Sequence, residues 1–417
     1  MVNILSNTTR VETPFIIVDI AGYTFGGYSK AVKEDLTNKN LFRSIGIQYP
    51  NYMQSLTVDK VNGTVNTYTI VMKYPITQFD DPNLIEKVLS KVSSTRTLKI
   101  SYGDLSAPNY IYKNEVCLIT KVTSNIDVNS SVITYNISCV SQALTLTAGT
   151  LTEEKRIAKP SDIIKEILYN NKGGILDIFH GMRDKDLVES KGLIASDDQI
   201  VSIEAKKHIS VLEYIKYLIS CMRSINDTSK SVQKTGAYTL VIQDDTKGIF
   251  TGPYFKIVKV TDSVQNINSL DTYEIDIGYL TQNVVTSFTI DDNETYSILY
   301  NYSKNIKQSE YVYRIDDDGN MEYLFSPAIS NSQQLMRTTE SDKTWWSNVT
   351  KYPINASLTI KGLLKPAILM TYVKLNVLFY GNKHIASGYY VITKQTDQVT
   401  AEGYRTTLKL MRVGGDS

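Results

Sequence analysis

Apolar and polar residues alternate along much of this chain, and one alternating block occurs twice. Placing Ile119-Thr120-Lys121-Val122-Thr123 over Ile392-Thr393-Lys394-Gln395-Thr396 sets an offset of 273 residues (392 − 119), and the register runs without a gap to Val140 and Val413. Ile126 falls on Val399, Thr134 on Thr407, Tyr135 on Leu408 and Ile137 on Leu410. A period of two is the signature of a half-buried strand, so each block predicts a pair of strands. Each is preceded by a Lys-bearing strand, Thr97-Leu98-Lys99-Ile100 and Tyr372-Val373-Lys374-Leu375. Two copies of one β unit point to a duplicated architecture.

Elsewhere the N-terminal third also reads as β. Pro14 to Ile20 predicts a short buried strand that the glycines of Gly22-Tyr23-Thr24-Phe25-Gly26-Gly27 end, and Thr67 to Tyr74 alternates up to Pro75. A helix interrupts, capped by Asp81 before Pro82, with Leu84, Ile85, Val88, Leu89 and Val92 as its apolar stripe. From about Leu151 the period changes to that of helices. Ile163, Ile164, Ile167 and Leu168 share one face after Pro160, and Leu212, Ile215, Leu218, Ile219 and Met222 share another after a capping box of Ser210 and Glu213. Strands return at Ala237. Tyr311–Ile315 and Met321–Phe325 flank Asp316-Asp317-Asp318-Gly319-Asn320 as a hairpin, since Gly supplies the positive φ of the turn. The expected organisation is mainly β with an α/β insertion: a first β-barrel domain over 1–150, a small α/β domain over 151–236, and a second β-barrel domain over 237–417 with a hairpin insertion around 291–345.

Length and charge narrow the class. A chain of 417 residues exceeds one compact core. Its formal net charge of +1 removes the usual electrostatic argument for a nucleic-acid binder. Tyr outnumbers Phe, 29 to 10, which suits half-buried strands and protein interfaces. Met1 to Asn7 has no basic segment leading into an apolar core, so no signal peptide is expected, and no apolar run approaches membrane-spanning length. The three cysteines, Cys117, Cys139 and Cys221, have no zinc spacing. Cys117 and Cys139 lie on the two arms of the first repeated hairpin; packed thiols are expected there, with a disulfide as the alternative in an oxidising particle.

Candidate chemistry is sparse. Asp316, Asp317, Asp318, Asn320 and Glu322 invite a calcium reading, but an EF-hand loop needs an oxygen ligand where Arg314 stands, and a solvated hairpin is expected. His180, His208 and His384 are scattered outside any HExxH-type motif. Gly22, Gly26 and Gly27 lead into Tyr28-Ser29 rather than Gly-Lys-Ser/Thr, so no phosphate loop is read. Trp345-Trp346 suits a core or subunit interface better than a sugar platform. No catalytic residue, cofactor-binding residue or metal ligand is nominated, and no enzyme is expected.

The closing block, from Trp345-Trp346 through Pro353-Ile354-Asn355-Ala356-Ser357-Leu358-Thr359-Ile360-Lys361-Gly362 to Ser387-Gly388-Tyr389-Tyr390-Val391-Ile392-Thr393-Lys394-Gln395 and Gly403-Tyr404-Arg405-Thr406-Thr407-Leu408, resembles the C-terminal part of bacteriophage tail proteins. It is most similar to the central baseplate hub of contractile-tailed phages, a group related to the N-terminal half of type VI secretion spike proteins. The resemblance covers roughly the last seventy residues. It implies two tail-tube-like barrels per chain and a homotrimer forming a pseudo-sixfold ring. It further implies a tail-tube protein above, a central spike protein below, neighbouring baseplate proteins around the insertion, and DNA as transient cargo in the lumen. Such a chain is made in the host bacterial cytoplasm and resides in the virion, with no stable membrane association. The alternatives from other classes are a distal tail protein, a receptor- or carbohydrate-binding tail-tip protein, and a tail-associated cell-wall hydrolase.

Overall fold

The computed structural model describes residues 14–28, 52–75, 97–104, 113–222, 237–244, 252–260, 271–277, 285–292, 313–315, 321–323, 354–361, 369–384, 386–400 and 403–415, together with Asn83 and Lys87. The first unit contains β1 Pro14–Ile20, β2 Tyr23–Tyr28, β3 Met53–Val61, β4 Thr67–Pro75, β5 Thr97–Asp104, β6 Lys113–Asp127 and β7 Val132–Ser141. β1 ends at Ile20 before the Gly22 turn, as expected, while Gly26 and Gly27 lie within the next strand, β2. Short strands β8 Thr150–Glu153, β9 Arg156–Ala158, β10 Val201–Ile203 and β11 Lys206–Ser210 follow, then β12 Ala237–Gln243 and β13 Tyr254–Val260. The second unit contains β14 Asp271–Ile277, β15 Val285–Asp292, β16 Tyr313–Ile315, β17 Met321–Tyr323, β18 Ile354–Lys361, β19 Tyr372–Phe379, β20 Asn382–Lys383, β21 Gly388–Thr400 and β22 Gly403–Gly415.

Among the described residues one 14-stranded sheet runs β15-β18-β22-β21-β3-β4-β7-β6-β5-β1-β2, with β19 also paired to β21, β14 to β19 and β20 to β19. The first unit reads β3-β4-β7-β6-β5-β1 and the second β15-β18-β22-β21-β19-β14, so the order of six strands repeats. The last member differs in sense: β1 runs antiparallel to β5, whereas β14 runs parallel to β19. The mainly β expectation holds. Among the described residues no strand pairing closes either unit into a barrel; the first curls until the Tyr52 amide, beside β3, donates to the Gly26 carbonyl of β2 at 3.1 Å. Within the second unit β16 and β17 form the expected hairpin, Tyr313 opposite Tyr323, while its turn of Asp316 to Asn320 and the Trp345-Trp346 pair lie outside the described residues.

The duplication extends to irregularities. The β6–β7 ladder slips between Ile119 and Lys121, and the β21–β22 ladder slips between Ile392 and Lys394, the residues superposed by the sequence repeat. A second matched pair of slips lies at Met53/Ser55 on β3 and Val285/Ser287 on β15. The Lys-bearing strands also fall in register, Leu98 opposite Cys117 and Val373 opposite Tyr390. The return strands do not match without a gap. Asp127 pairs with Val132 across four turn residues, whereas Thr400 pairs with Gly403 across two. Structurally Ile137 therefore corresponds to Leu408, not Leu410. A two-residue shift preserves the facing of every side chain, which is why the ungapped alignment kept its alternation.

Three cores result. The first lies inside the first unit, built on Ile16, Val18, Leu56, Ile70, Tyr102 and Ile137. The second lies inside the second unit, on Ala356, Leu358, Leu375, Val391 and Leu410. The third belongs to the α/β region. Its helix Val211–Cys221 is capped by Ser210, whose side chain accepts from the Glu213 amide, and it buries Leu212, Ile215, Leu218 and Ile219 as its spacing predicts. The helix Pro160–Tyr169 buries Ile163, Ile164, Ile167 and Leu168 and has its first turn held by Asp198, which accepts from the Ser161 amide at 2.9 Å and hydroxyl at 2.5 Å. Leu240, Ile242, Phe255 and Ile257 join this core, so the unit read as 151–236 also takes in β12 and β13. The helix expected over Pro82 to Val92 lies outside the described residues, apart from the Lys87 amide donating to the Asn83 carbonyl at 2.8 Å.

Candidate functional site: the seam between the two strand units

The two units meet where the distal half of β21 pairs antiparallel with β3, Lys394 opposite Val61 through Thr400 opposite Ser55. Alternation divides this seam into two faces. On the inner face stand Leu56, Val58 and Lys60 of β3 with Gln395, Asp397 and Val399 of β21, all buried. Val399 and Tyr404 belong to the core of the first unit although the chain assigns them to the second. On the outer face the Lys394 ammonium lies 2.9 Å from the Asp59 carboxylate, which also accepts from the Thr396 hydroxyl at 2.5 Å.

The inner face carries three carboxylates and one ammonium. Lys60 pairs with Glu115 of β6, and both side chains are almost wholly buried. Asp397 accepts from the Thr406 hydroxyl at 2.6 Å, the Gln395 amide at 2.8 Å and the Tyr102 hydroxyl at 3.0 Å. Asp244, just beyond β12, accepts from the Ser141 hydroxyl at 2.6 Å and the Asn66 amide at 2.7 Å. Tyr68 links two of the carboxylates, its hydroxyl lying 2.8 Å from Glu115 and 2.9 Å from Asp244. The seam thus ties together both strand units and the strand leading out of the α/β region.

Burial moves both Tyr68 and Asp244 away from their ordinary titration ranges. Burial, and then the charges of Asp244 and Glu115, push the Tyr68 hydroxyl well above its ordinary value, so it keeps its single proton. Its one proton is shared between the Glu115 and Asp244 carboxylates. Burial raises Asp244 from 3.8 to about 6, with the Glu115 charge adding to the shift and the Ser141, Asn66 and Tyr68 hydrogen bonds opposing it. Tyr102 and Tyr404 are likewise pushed up, first by burial and then by neighbouring carboxylates, and remain donors. Burial and then its contact with Cys139 raise the Cys117 thiol. Both are free thiols: Cys117 stands opposite Ser141, and Cys139 opposite Ile119.

The histidines hold structural positions. His180 sits against Gly252, where a Cβ would lie 2.2 Å from its Nε2, so only glycine fits. His208 occupies the irregularity of β11 with φ 54°. His384 packs edge-on against Phe379 at 4.8 Å, and its Nδ1 accepts from the Ala386 amide at 3.2 Å. Sequence reasoning missed the seam. A signal was available: Lys60 and Asp397 occupy the phase of strands whose other members, Leu56, Val58 and Val399, are apolar.

No protein-family model and no curated protein sequence matches the chain. Solved structures do. A tail protein from Neisseria meningitidis MC58 superposes with a TM-score of 0.50 at 8% identity, covering 96% of each chain. The 43 kDa tail protein of prophage MuSo2 from Shewanella oneidensis superposes with 0.50 at 9% identity, covering 95% of this chain and 96% of its own. An E. coli component of the type VI secretion system, described as similar to the T4 tail proteins gp27 and gp5, covers 88% of this chain with a TM-score of 0.44 at 9% identity. The fold of this chain is that of bacteriophage tail proteins.

Proposed function

We propose that this protein is the central hub of a phage tail baseplate, a structural virion component with a mechanical rather than catalytic role. Three copies would form a ring of six strand units, presenting sixfold-like geometry to a tail-tube protein on one side and threefold geometry to a spike on the other. The observation that carries this reading is the repeated order of six strands in one continuous sheet, with irregularities at matched positions. A duplicated unit is what a trimer needs to meet a hexamer. The fold shared with tail proteins over nearly the whole chain supports the same placement. In this reading the α/β unit faces neighbouring baseplate proteins and the ring surrounds the path of the DNA.

Electron microscopy of the tail tip with this chain labelled tests the proposal. The expected result is a central, threefold density between tube and spike. A peripheral position, accompanied by binding of the purified chain to intact host cells, would instead establish a receptor-binding role.

A further inference from the structure

The turn between β3 and β4 carries a chemically labile pair, and β12 lies against it. Asn62-Gly63 is the single Asn-Gly step in the sequence. Such a step is prone to spontaneous cyclisation, because glycine has no side chain to hinder its own nitrogen and gives the backbone the freedom that ring closure needs. A Cβ built at Gly63, whose φ is +73°, would meet nothing within 4 Å, so the folded turn adds no steric shield. What restrains the pair is hydrogen bonding to one strand. The Gly63 amide donates to the Leu240 carbonyl at 2.8 Å, and the Asn62 carboxamide donates to the Thr239 hydroxyl at 3.5 Å. Further along the turn, the Asn66 carboxamide donates to the Ile242 carbonyl at 3.3 Å and to Asp244 at 2.7 Å. The nucleophile and the leaving group of the cyclisation are thus both held by β12.

We propose that Asn62 is a deamidation site that β12 keeps unreactive, and that its conversion bars β12 from docking again. When β12 lifts away in a local opening, base removes the freed Gly63 amide proton. The Gly63 nitrogen bonds to Asn62 Cγ, the Cγ–Nδ2 bond breaks, and Nδ2 leaves as ammonia after taking a proton from water. The resulting succinimide adds one water across either of its carbonyl–nitrogen bonds, giving aspartate or isoaspartate. Only base and water take part. Both products put a carboxylate where a carboxamide donated to Thr239. The isoaspartate also inserts a methylene into the main chain, which carries the Gly63 amide away from the Leu240 carbonyl.

Full-length protein held at mildly alkaline pH, digested at intervals and read by mass spectrometry, tests the protection. Asn62 should convert on the order of tenfold or more slowly in the folded chain than in the same chain unfolded in guanidinium chloride, because reaction waits on the opening. In sub-denaturing guanidinium its rate should rise in step with hydrogen exchange at the Gly63 amide. Asn66→Ala, which removes the neighbouring bonds to β12, should raise the rate several-fold, and Asn62→Gln should abolish the conversion; the guanidinium series carries the test should Asn66→Ala not fold. Equal rates in the folded and unfolded chains, a rate that ignores Gly63 exchange, or a folded Asn66→Ala chain that converts no faster overturns the protection. The converted chain, separated by its extra negative charge, should exchange the amides of Gly63 and β12 several-fold faster than the unconverted chain. Identical exchange in the two overturns the claim that conversion bars docking.

Discussion

The distal halves of β21 and β6 occupy corresponding places in a repeated sheet and have opposite surroundings. Along β21 the strand is covered by β3, its inner residues are buried, and its polar members are held in an ionic cluster. Along β6 the matching residues Ser124 and Ile126 are exposed. The difference shows how one strand design serves two surroundings: covered by β3, the strand carries buried charge at Asp397, whereas the matching inner-phase residues of β6, Ser124 and Ile126, are neutral and exposed. Burying Lys60, Glu115 and Asp397 in an interface that must assemble from solvated parts would require desolvating them at each encounter. Inside one chain that cost is met once, during folding.

Several measurements would break or sharpen this contrast. The largest effect is expected from Lys60→Met, which leaves Glu115 buried beside two other carboxylates; denaturant unfolding should show a loss of about 3–5 kcal/mol, much of it recovered by adding Glu115→Gln. Next, Leu56→Ala should cost about 2–5 kcal/mol in unfolding free energy, while Ile126→Ala, its neighbour's counterpart on the open edge, should leave the monomer within about 0.5 kcal/mol. Equal effects at the two positions would mean that the β6 edge is already covered.

Asp244 gives a pH-dependent test. Its folded value of about 6 lies above the ordinary 3.8, so between these pH values the folded chain holds a proton that the unfolded chain has released. This contribution is fully present below the unfolded value and is lost as pH rises through the folded one. Asp244→Asn should remove that dependence. The difference between wild type and variant should change by on the order of 3 kcal/mol from pH 4 to pH 7, read by thermal or denaturant unfolding across the range. The smallest effect belongs to the outer face: Lys394→Ala, removing an ion pair about one-third exposed on each side, should cost at most about 1 kcal/mol.

Much of the duplicated unit could be read from the chain itself. The alternation of β6 and β21, and the Lys-bearing strands ahead of them, are local patterns that survive divergence because each inner position needs only to be apolar. The correspondence of β3 with β15 could not be read this way. Leu56-Thr57-Val58-Asp59 and Phe288-Thr289-Ile290-Asp291 match well, but the chain connecting each to its hairpin differs in length and content. The shortened second turn stayed hidden because a two-residue deletion leaves strand facing unchanged. The ionic seam was hidden for another reason: its members come from β3, β4, β5, β6, β21, β22 and the end of β12, and only the tertiary fold brings them together. The sharing of β12 and β13 with the α/β core is also a matter of packing, since their alternation suits either neighbour.

The unequal turns have a consequence for counting. The first hairpin carries four residues past its last pair, tipped by Val128 at 84% exposure and braced by Asp127, which accepts from the Asn129 amide and Ser130 hydroxyl; the second carries two. Around any ring that alternates the two units, the rim would rise and fall once per chain, while the strands beneath would repeat once per unit. A molecule resting on the strands would then count twice as many steps as one gripping the tips, so a single circular object could be read in two number systems from its two levels.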